Sequence, residues 1–268
     1  MIEYYHRGVV CHLVGFDLAA PLDLEMIQPG EDEVAAASRL VRRVCRQYPR
    51  FFDAFVADAL YFQAPFVNLC LEVGKPLVSV LKGERRSLLQ DAQGLFQDQE
   101  PKIHRDGQRT VRYWEEQGLE AAGIRAPLRV LHTEESEDKR QRIAGRWHLK
   151  TEEHTWWWQT TIPVALLPAQ QLWAAGHHRW DIENDLFNTL ATHWSLNHCY
   201  KHDPLAIVNF VLTLFIAFVL LQSFYLRNLK PELRKVLTLI ALARECYLDL
   251  GATPWTAPWL LRSRGSSP

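Results

Sequence analysis

Residues 51–61 read Phe51-Phe52-Asp53-Ala54-Phe55-Val56-Ala57-Asp58-Ala59-Leu60-Tyr61. The run Phe51 to Ala57 is nearly all apolar, broken by Asp53, and predicts a buried central strand with Asp58 at its C-terminal end. Residues 64–73 then predict a helix, closed by Gly74 at the position after the cap. Lys75-Pro76-Leu77-Val78-Ser79-Val80-Leu81-Lys82 predicts a second buried strand. Upstream, Val9 to Leu18 and Leu22 to Ile27 read as strands, and Pro29-Gly30 as a turn. Val34, Ala37, Val41, Val44, Cys45 and Tyr48 recur at helical spacing, so residues 31–47 predict an amphipathic helix. Acidic Glu31, Asp32 and Glu33 stand at its start and Pro49 just past its end. Strands alternating with helices at these lengths predict an α/β fold.

The pattern changes near residue 103. Val111 to Trp114, Leu128 to His132, Arg142 to Leu149 and Thr155 to Thr161 read as short strands with polar turns, an inserted, mainly β subdomain. Helices return after Leu167, one through Trp180 to Trp194, one at 206–225 and one near 232–249. The expected organisation is 1–102 for the first part of the core and 103–165 for the β-rich insertion. Residues 166–230 would complete the core, and 231–268 would form a C-terminal helix and tail.

The 268 residues carry a formal net charge of -1, with 48% hydrophobic and 23% charged side chains. This suits a soluble domain with a real core, and any DNA contact must come from local patches. Five cysteines lack a CxxC pair, which argues against a disulfide framework and for a reducing compartment. The start, Met1-Ile2-Glu3-Tyr4-Tyr5-His6-Arg7, has no basic region leading into an apolar run, so no signal peptide is expected. Residues 206–225 are mostly apolar, but Asn209, Thr213 and Gln222 interrupt them; a buried core helix is expected, with no membrane association.

Two acids invite chemistry. Asp58 ends a strand where open α/β folds place their sites, and it equally suits a helix cap. Glu183 borders an apolar helix face made by Ile182, Leu186, Phe187, Leu190 and Trp194, with Arg179 four residues before it. That spacing suits a surface ion pair and a metal-binding carboxylate positioned by arginine alike. Lys139, Arg140, Arg142, Arg146 and Lys150 form a basic run with Trp147 and His148 interleaved, fit for phosphate contact and base stacking. The acids Glu134, Glu135, Glu137 and Asp138 just upstream would instead balance it as a solvated hairpin face. Lys82, with Arg85 and Arg86, follows the second buried strand and would face the same end as Asp58. His193, His198, Cys199 and His202 lack structural-zinc spacing and read as a polar junction between helices.

Val56-Ala57-Asp58-Ala59-Leu60-Tyr61 resembles the second-aspartate motif of DDE transposases of the insertion-sequence-four-like group. His178-Arg179-Trp180-Asp181-Ile182-Glu183-Asn184, followed by Phe187-Asn188, resembles that group's glutamate motif. Thr160-Thr161-Ile162-Pro163 and the Pro29-Gly30-Glu31-Asp32-Glu33 turn also fit its pattern. The resemblance covers residues 4–230. It implies an RNase H-like core with a β insertion, and two Mg²⁺ (or Mn²⁺) ions held by two aspartates and a glutamate. Asp58 and Glu183 would then be catalytic metal ligands, with Arg179 positioning Glu183 or touching DNA. The implied reaction is cleavage at transposon ends by water, then attack of the freed 3′-OH on target DNA. The implied partners are those DNAs and a second copy of the chain, and the implied compartment is the bacterial cytoplasm.

The chain departs from the family pattern in three places. The first aspartate of the family precedes the region matching Tyr4-Tyr5-His6, so a chain lacking the first core strand is expected; Asp17 and Asp23 do not match that motif. Gly176 and Leu190 stand where the family often has tyrosine and lysine. An inactive remnant that keeps weak DNA affinity is therefore the alternative to an active transposase. A missing first strand would also leave the next one as an exposed edge and limit solubility.

Overall fold

The computed structural model describes residues 6–83, 87–143 and 146–252. It divides into two compact units, residues 1–189 and 190–268.

The first unit is mixed α/β. Strands β1 (Gly8–Leu13) and β2 (Ala20–Met26) form an antiparallel hairpin with an irregularity between Cys11 and His12. Helix α1 (Glu33–Gln47) begins where Asp32 accepts a hydrogen bond from the backbone N–H of Ala35, and it buries Val34, Ala36, Ala37, Leu40, Val41 and Val44. Its outer face is tied to β2: Arg43 pairs with Asp23 at 2.6 Å, and Arg39 reaches Glu25 at 2.8 Å as well as Glu31. Strand β3 is only Phe55–Ala57. A single 3-10 turn over Ala59–Tyr61 and helix α2 (Ala64–Glu72) connect it to β4 (Leu77–Val80), which pairs with it in parallel. Gly74 takes φ +71°, the left-handed turn after α2 that a side chain would disfavour.

The central strand expected over 51–57 is corrected here. β3 is short and half-buried, and Phe51 is exposed, because among the described residues β3 has a neighbouring strand on one side only. β4, flanked on both sides, is buried along its whole length.

Helix α3 (Ser87–Phe96) leads into the β-rich stretch. Its strands are β5 (Lys102–Asp106), β6 (Arg109–Leu119), β7 (Leu128–Ile143) and β8 (Arg146–Thr160). The short strands expected at 128–132, 142–149 and 155–161 are the two long arms of one hairpin. β8 pairs with β4, Val78 opposite Thr160 and Val80 opposite Trp158, so the β-rich stretch extends the core sheet in the order β3-β4-β8-β7-β6-β5. One face of the sheet packs on α1, α2 and α3 through Val41, Phe66, Leu77, Leu89 and Val130. The other packs on α4 (Ala169–His177) through Val78, Leu131, Trp158, Leu172 and Trp173.

Beyond α4 the chain makes a 3-10 turn (His178–Trp180), a π-helical stretch (Ile182–Phe187) and helix α5 (Asn188–His193). The second unit holds α6 (Pro204–Arg227), a short α7 (Pro231–Arg234) and α8 (Leu239–Ala252). The core helix expected at 206–225 is real as a helix but is not buried: 17% of its most apolar window is covered, at a mean hydropathy of 2.6. Apolar side chains surround it on every side, more than one packing partner covers, and Leu205, Ile216 and Leu220 lie exposed. Among the described residues α6 is the one helix long and apolar enough to cross a membrane.

Candidate active site

The first unit contains a cavity of about 720 Å³. β1 and the loop after it line one side, Phe51 to Asp58 the other, and α1 and the helical segment from Gln171 to Phe187 contribute the remaining walls. Asp58, Glu183 and Arg179 all reach it. The two acids that resemble the transposase motifs, carried on separate elements far apart in sequence, therefore meet at one cavity.

Asp58 sits just past β3. Its Oδ1 accepts a hydrogen bond from the Ala59 backbone N–H at 2.7 Å, so it does cap the following 3-10 turn, and a carboxylate retains further acceptor sites beyond that bond. Tyr61, at the end of that turn, donates its hydroxyl to Glu33 Oε1 at 2.7 Å. Burial, together with the Glu33 bond and the Asp58 charge, pushes the Tyr61 pKa well above its usual range. Glu33 also pairs with Arg7 at 3.5 Å. Sequence reasoning took Glu33 only as a helix-start acid; its place beside the cavity depends on packing that α1 periodicity does not reveal.

Glu183 lies early in the π-helical stretch, where its carbonyl accepts from Asn188 N–H, five residues on. Such a stretch turns the side chains after it relative to an α-helix, and in other folds often marks a functional site. Glu183 Oε1 accepts from Arg179 at 3.1 Å. The Arg179 guanidinium stacks on the Trp180 ring, 4.0 Å from its centroid. Trp180 in turn packs edge-on against Trp156 and Trp158, which ties this turn to β8.

Another cavity-lining residue escaped the sequence reading. Both ring nitrogens of His12 are buried with no hydrogen-bond partner among the described residues. Burial lowers its pKa to about 4, against the opposing charge of Asp181. A polar residue inside the apolar run Val9-Val10-Cys11-His12-Leu13 was the available signal.

The predicted basic residues are placed elsewhere. Lys82 is exposed just beyond β4 and does not line the cavity; Arg85 and Arg86 lie outside the described residues. On the long hairpin, Lys139 stands opposite Lys150 and Arg140 opposite Leu149. Lys139 and Lys150 share Glu152, at 2.8 and 3.4 Å. Alternation puts Arg140 and Arg142 on the opposite face, with Trp147 and Leu149, both strongly exposed. Arg146 lies in β8, and its side chain lies outside the described residues. Asp23 is held by Arg43, and neither Asp17 nor Asp23 lines the cavity. Cys199 and His202 approach to 3.7 Å in the exposed loop before α6.

Residues 6–220 match the family model described as Transposase DDE domain. The chain belongs to this family. No curated protein matches it. Membership supports a transposase function and implies DNA as the partner. In the transposase domain the two motif acids open onto the same cavity. Gly176 lies under the Trp158 ring, and Leu190 is fully buried.

Proposed function

We propose that this transposase domain cuts and joins DNA phosphodiester bonds at transposon ends with Mg²⁺ or Mn²⁺, on an RNase H-like core of the insertion-sequence-four-like group. Asp58 and Glu183 are the metal ligands. The observation that carries this reading is that both open onto one cavity from separate elements. The donor set fits: carboxylate oxygens without sulfur suit a hard divalent cation, which prefers a few carboxylates plus water and phosphate oxygens. Glu183 is exposed enough for water to share a cation with it. When bound, a pair of such ions activates the attacking oxygen and stabilises the leaving one. Of the chain's own groups, Arg179 restrains Glu183, Asp58 stands fixed at the strand end by its cap, and Arg140, Arg142 and Trp147 present a cationic and aromatic face to DNA. We place Lys82 on the same DNA path. Two copies acting on paired transposon ends, in the bacterial cytoplasm and without membrane association, complete the proposal.

The reading is tested by Mn²⁺ titration followed by electron paramagnetic resonance, alongside Mn²⁺-dependent nicking of a transposon-end duplex. Binding should weaken at least about tenfold in Asp58→Asn and in Glu183→Gln, and any nicking should fall about a hundredfold or more. Unchanged Mn²⁺ binding in both variants would overturn the assignment. A second reading, an inactive relative that keeps the fold and some DNA affinity, is favoured by one observation: Asp17 and Asp23, after and on the β1–β2 hairpin, do not line the cavity with Asp58 and Glu183, and Glu33, which does, is engaged by Tyr61 and Arg7. Duplex binding without nicking, in a protein that still binds Mn²⁺, would select it.

A further inference from the structure

Glu135 is an acid buried inside the first unit. Its side chain is 2% exposed, in β7 on the face of the sheet that meets α4. A carboxylate taken out of water destabilises a fold unless donors surround it. Here Trp173 Nε1 and His177 Nε2 each donate to Oε1 at 2.8 Å, and Thr133 Oγ1 does so at 3.4 Å. Arg109 Nη1 lies 3.5 Å from Oε2. An ionised carboxylate only accepts, so the His177 proton in this bond is on Nε2.

Trp173 and His177 stand four residues apart on one face of α4, and His177 is the last residue of that helix. The chain then turns at once into His178–Trp180 and the π-helical stretch that carries Glu183. The His177 ring lies among the indoles of Trp156, Trp158, Trp173 and Trp180, with centroids 5.1 to 6.0 Å away. Trp180 is the ring on which Arg179 stacks, and Arg179 holds Glu183. A line of direct contacts therefore runs from Glu135 through His177 and Trp180 to the Arg179–Glu183 pair. Stability alone does not call for an acid at its root, since an apolar side chain of similar volume serves a buried site as well or better. Directional hydrogen bonds add what apolar packing lacks: they fix how far the last turn of α4 is rotated and slid along the sheet.

We propose that Glu135 is a positioning residue for the metal site. By fixing His177, it sets the angle at which the turn after α4 presents Arg179 and Glu183 to the cavity. Its functional half rests on the metal reading of Glu183 above; the hold on α4 stands on the bonds to Trp173 and His177 alone.

The test uses the full chain and four variants, with amide hydrogen exchange in the metal-free protein and Mn²⁺ titration by electron paramagnetic resonance. Glu135→Ala removes the acceptor, and His177→Phe keeps a ring among the tryptophans but removes the donor. Each should speed exchange in residues 178–187 at least about tenfold. Each should also weaken Mn²⁺ binding about fivefold or more. His177→Phe keeps the question open should the alanine variant fail to fold. Glu135→Gln should recover most of both losses, because its side-chain oxygen still accepts from Trp173 and His177. Trp173→Phe is the control for a merely structural role. It removes a bond to the same carboxylate one turn earlier, so its melting temperature should fall, yet exchange in 178–187 and Mn²⁺ affinity should stay within about twofold of the parent. Unchanged exchange in 178–187 for His177→Phe would overturn the proposal. So would a rise that Trp173→Phe matches in proportion to its loss of melting temperature, or faster exchange with Mn²⁺ affinity unaltered. A parent chain that binds no Mn²⁺ would sink the metal reading, and the exchange data would still decide whether Glu135 holds the turn.

Discussion

Arg179 and Glu183 are bonded at 3.1 Å, but unequally held: the arginine side chain is 11% exposed and the glutamate side chain 54%. The arginine is fixed by stacking on Trp180, so it acts as the anchor and the carboxylate as the group it restrains. Stability should report this asymmetry. Glu183→Ala removes an exposed i,i+4 pair and should cost under about 0.5 kcal/mol. Arg179→Ala also removes the stacked, half-enclosed guanidinium and should cost about 1–2 kcal/mol. Arg179→Lys keeps the charge but not the planar stack, and should recover less than half of that loss. Urea denaturation of the three variants measures it; equal losses for Arg179→Ala and Glu183→Ala would contradict the anchoring.

Gly176 leaves room for a neighbouring ring. A Cβ built there would lie 2.7 Å from the Trp158 ring, which is itself fully buried between β8 and α4. The space over Gly176 is filled by an indole from the facing strand. Gly176→Ala gains up to about 1 kcal/mol in helix propensity. The overpacking should outweigh it, for a net loss of about 1–2 kcal/mol. Trp158→Phe makes room, so in a double-mutant cycle the alanine should be nearly neutral in that background. Additive losses in thermal or urea melts would refute the contact as the cause.

Elements defined by local chemistry were legible in the sequence. α1 showed its buried stripe and acidic start, α2 its closing Gly74, and β4 its apolar run. What failed depends on neighbours. The reading of 51–57 as a central strand assumed partners on both sides, and among the described residues β3 has one. The long arms β7 and β8 were broken into short strands because residues 134–142 are all charged or polar and offer no apolar face to count. The π-helical stretch was invisible, since Ile182, Leu186 and Phe187 suit α and π spacing equally. The motif words located Asp58 and Glu183, but only the packing of α4 across the sheet from α1 brings them to one cavity, along with His12 and Glu33.

The hairpin separates two kinds of basic residue. Lys139 and Lys150 are drawn to Glu152 on one face, while Arg140 and Arg142 share the other with exposed Trp147 and Leu149. If the arginine face meets DNA, Arg140→Ala and Arg142→Ala should each reduce duplex affinity severalfold. Each should also lower the slope of log affinity against log salt by about 1. Lys139→Ala and Lys150→Ala should change both quantities less. Anisotropy titrations across a range of salt concentrations decide it, and larger effects from the lysines would assign DNA to the opposite face.

His12 makes stability depend on pH in a definable window. Its pKa falls from the ordinary 6.5 to about 4 because burial disfavours the charged ring. The unfolded chain therefore binds a proton near pH 6.5 that the folded chain refuses until about pH 4, and stability falls as pH drops through that interval. Glu135 acts lower down. His177, Trp173 and Arg109 hold its pKa below the usual value despite burial, so its contribution is lost only below about pH 4.5. His132, also lowered by burial, shares the upper window, so the test is a difference. His12→Phe should flatten the melting temperature between pH 7 and 5 relative to the parent chain while leaving the fall below pH 4.5 in place. Parallel profiles for the two proteins across pH 7 to 5 would show that His12 is not buried in its neutral form.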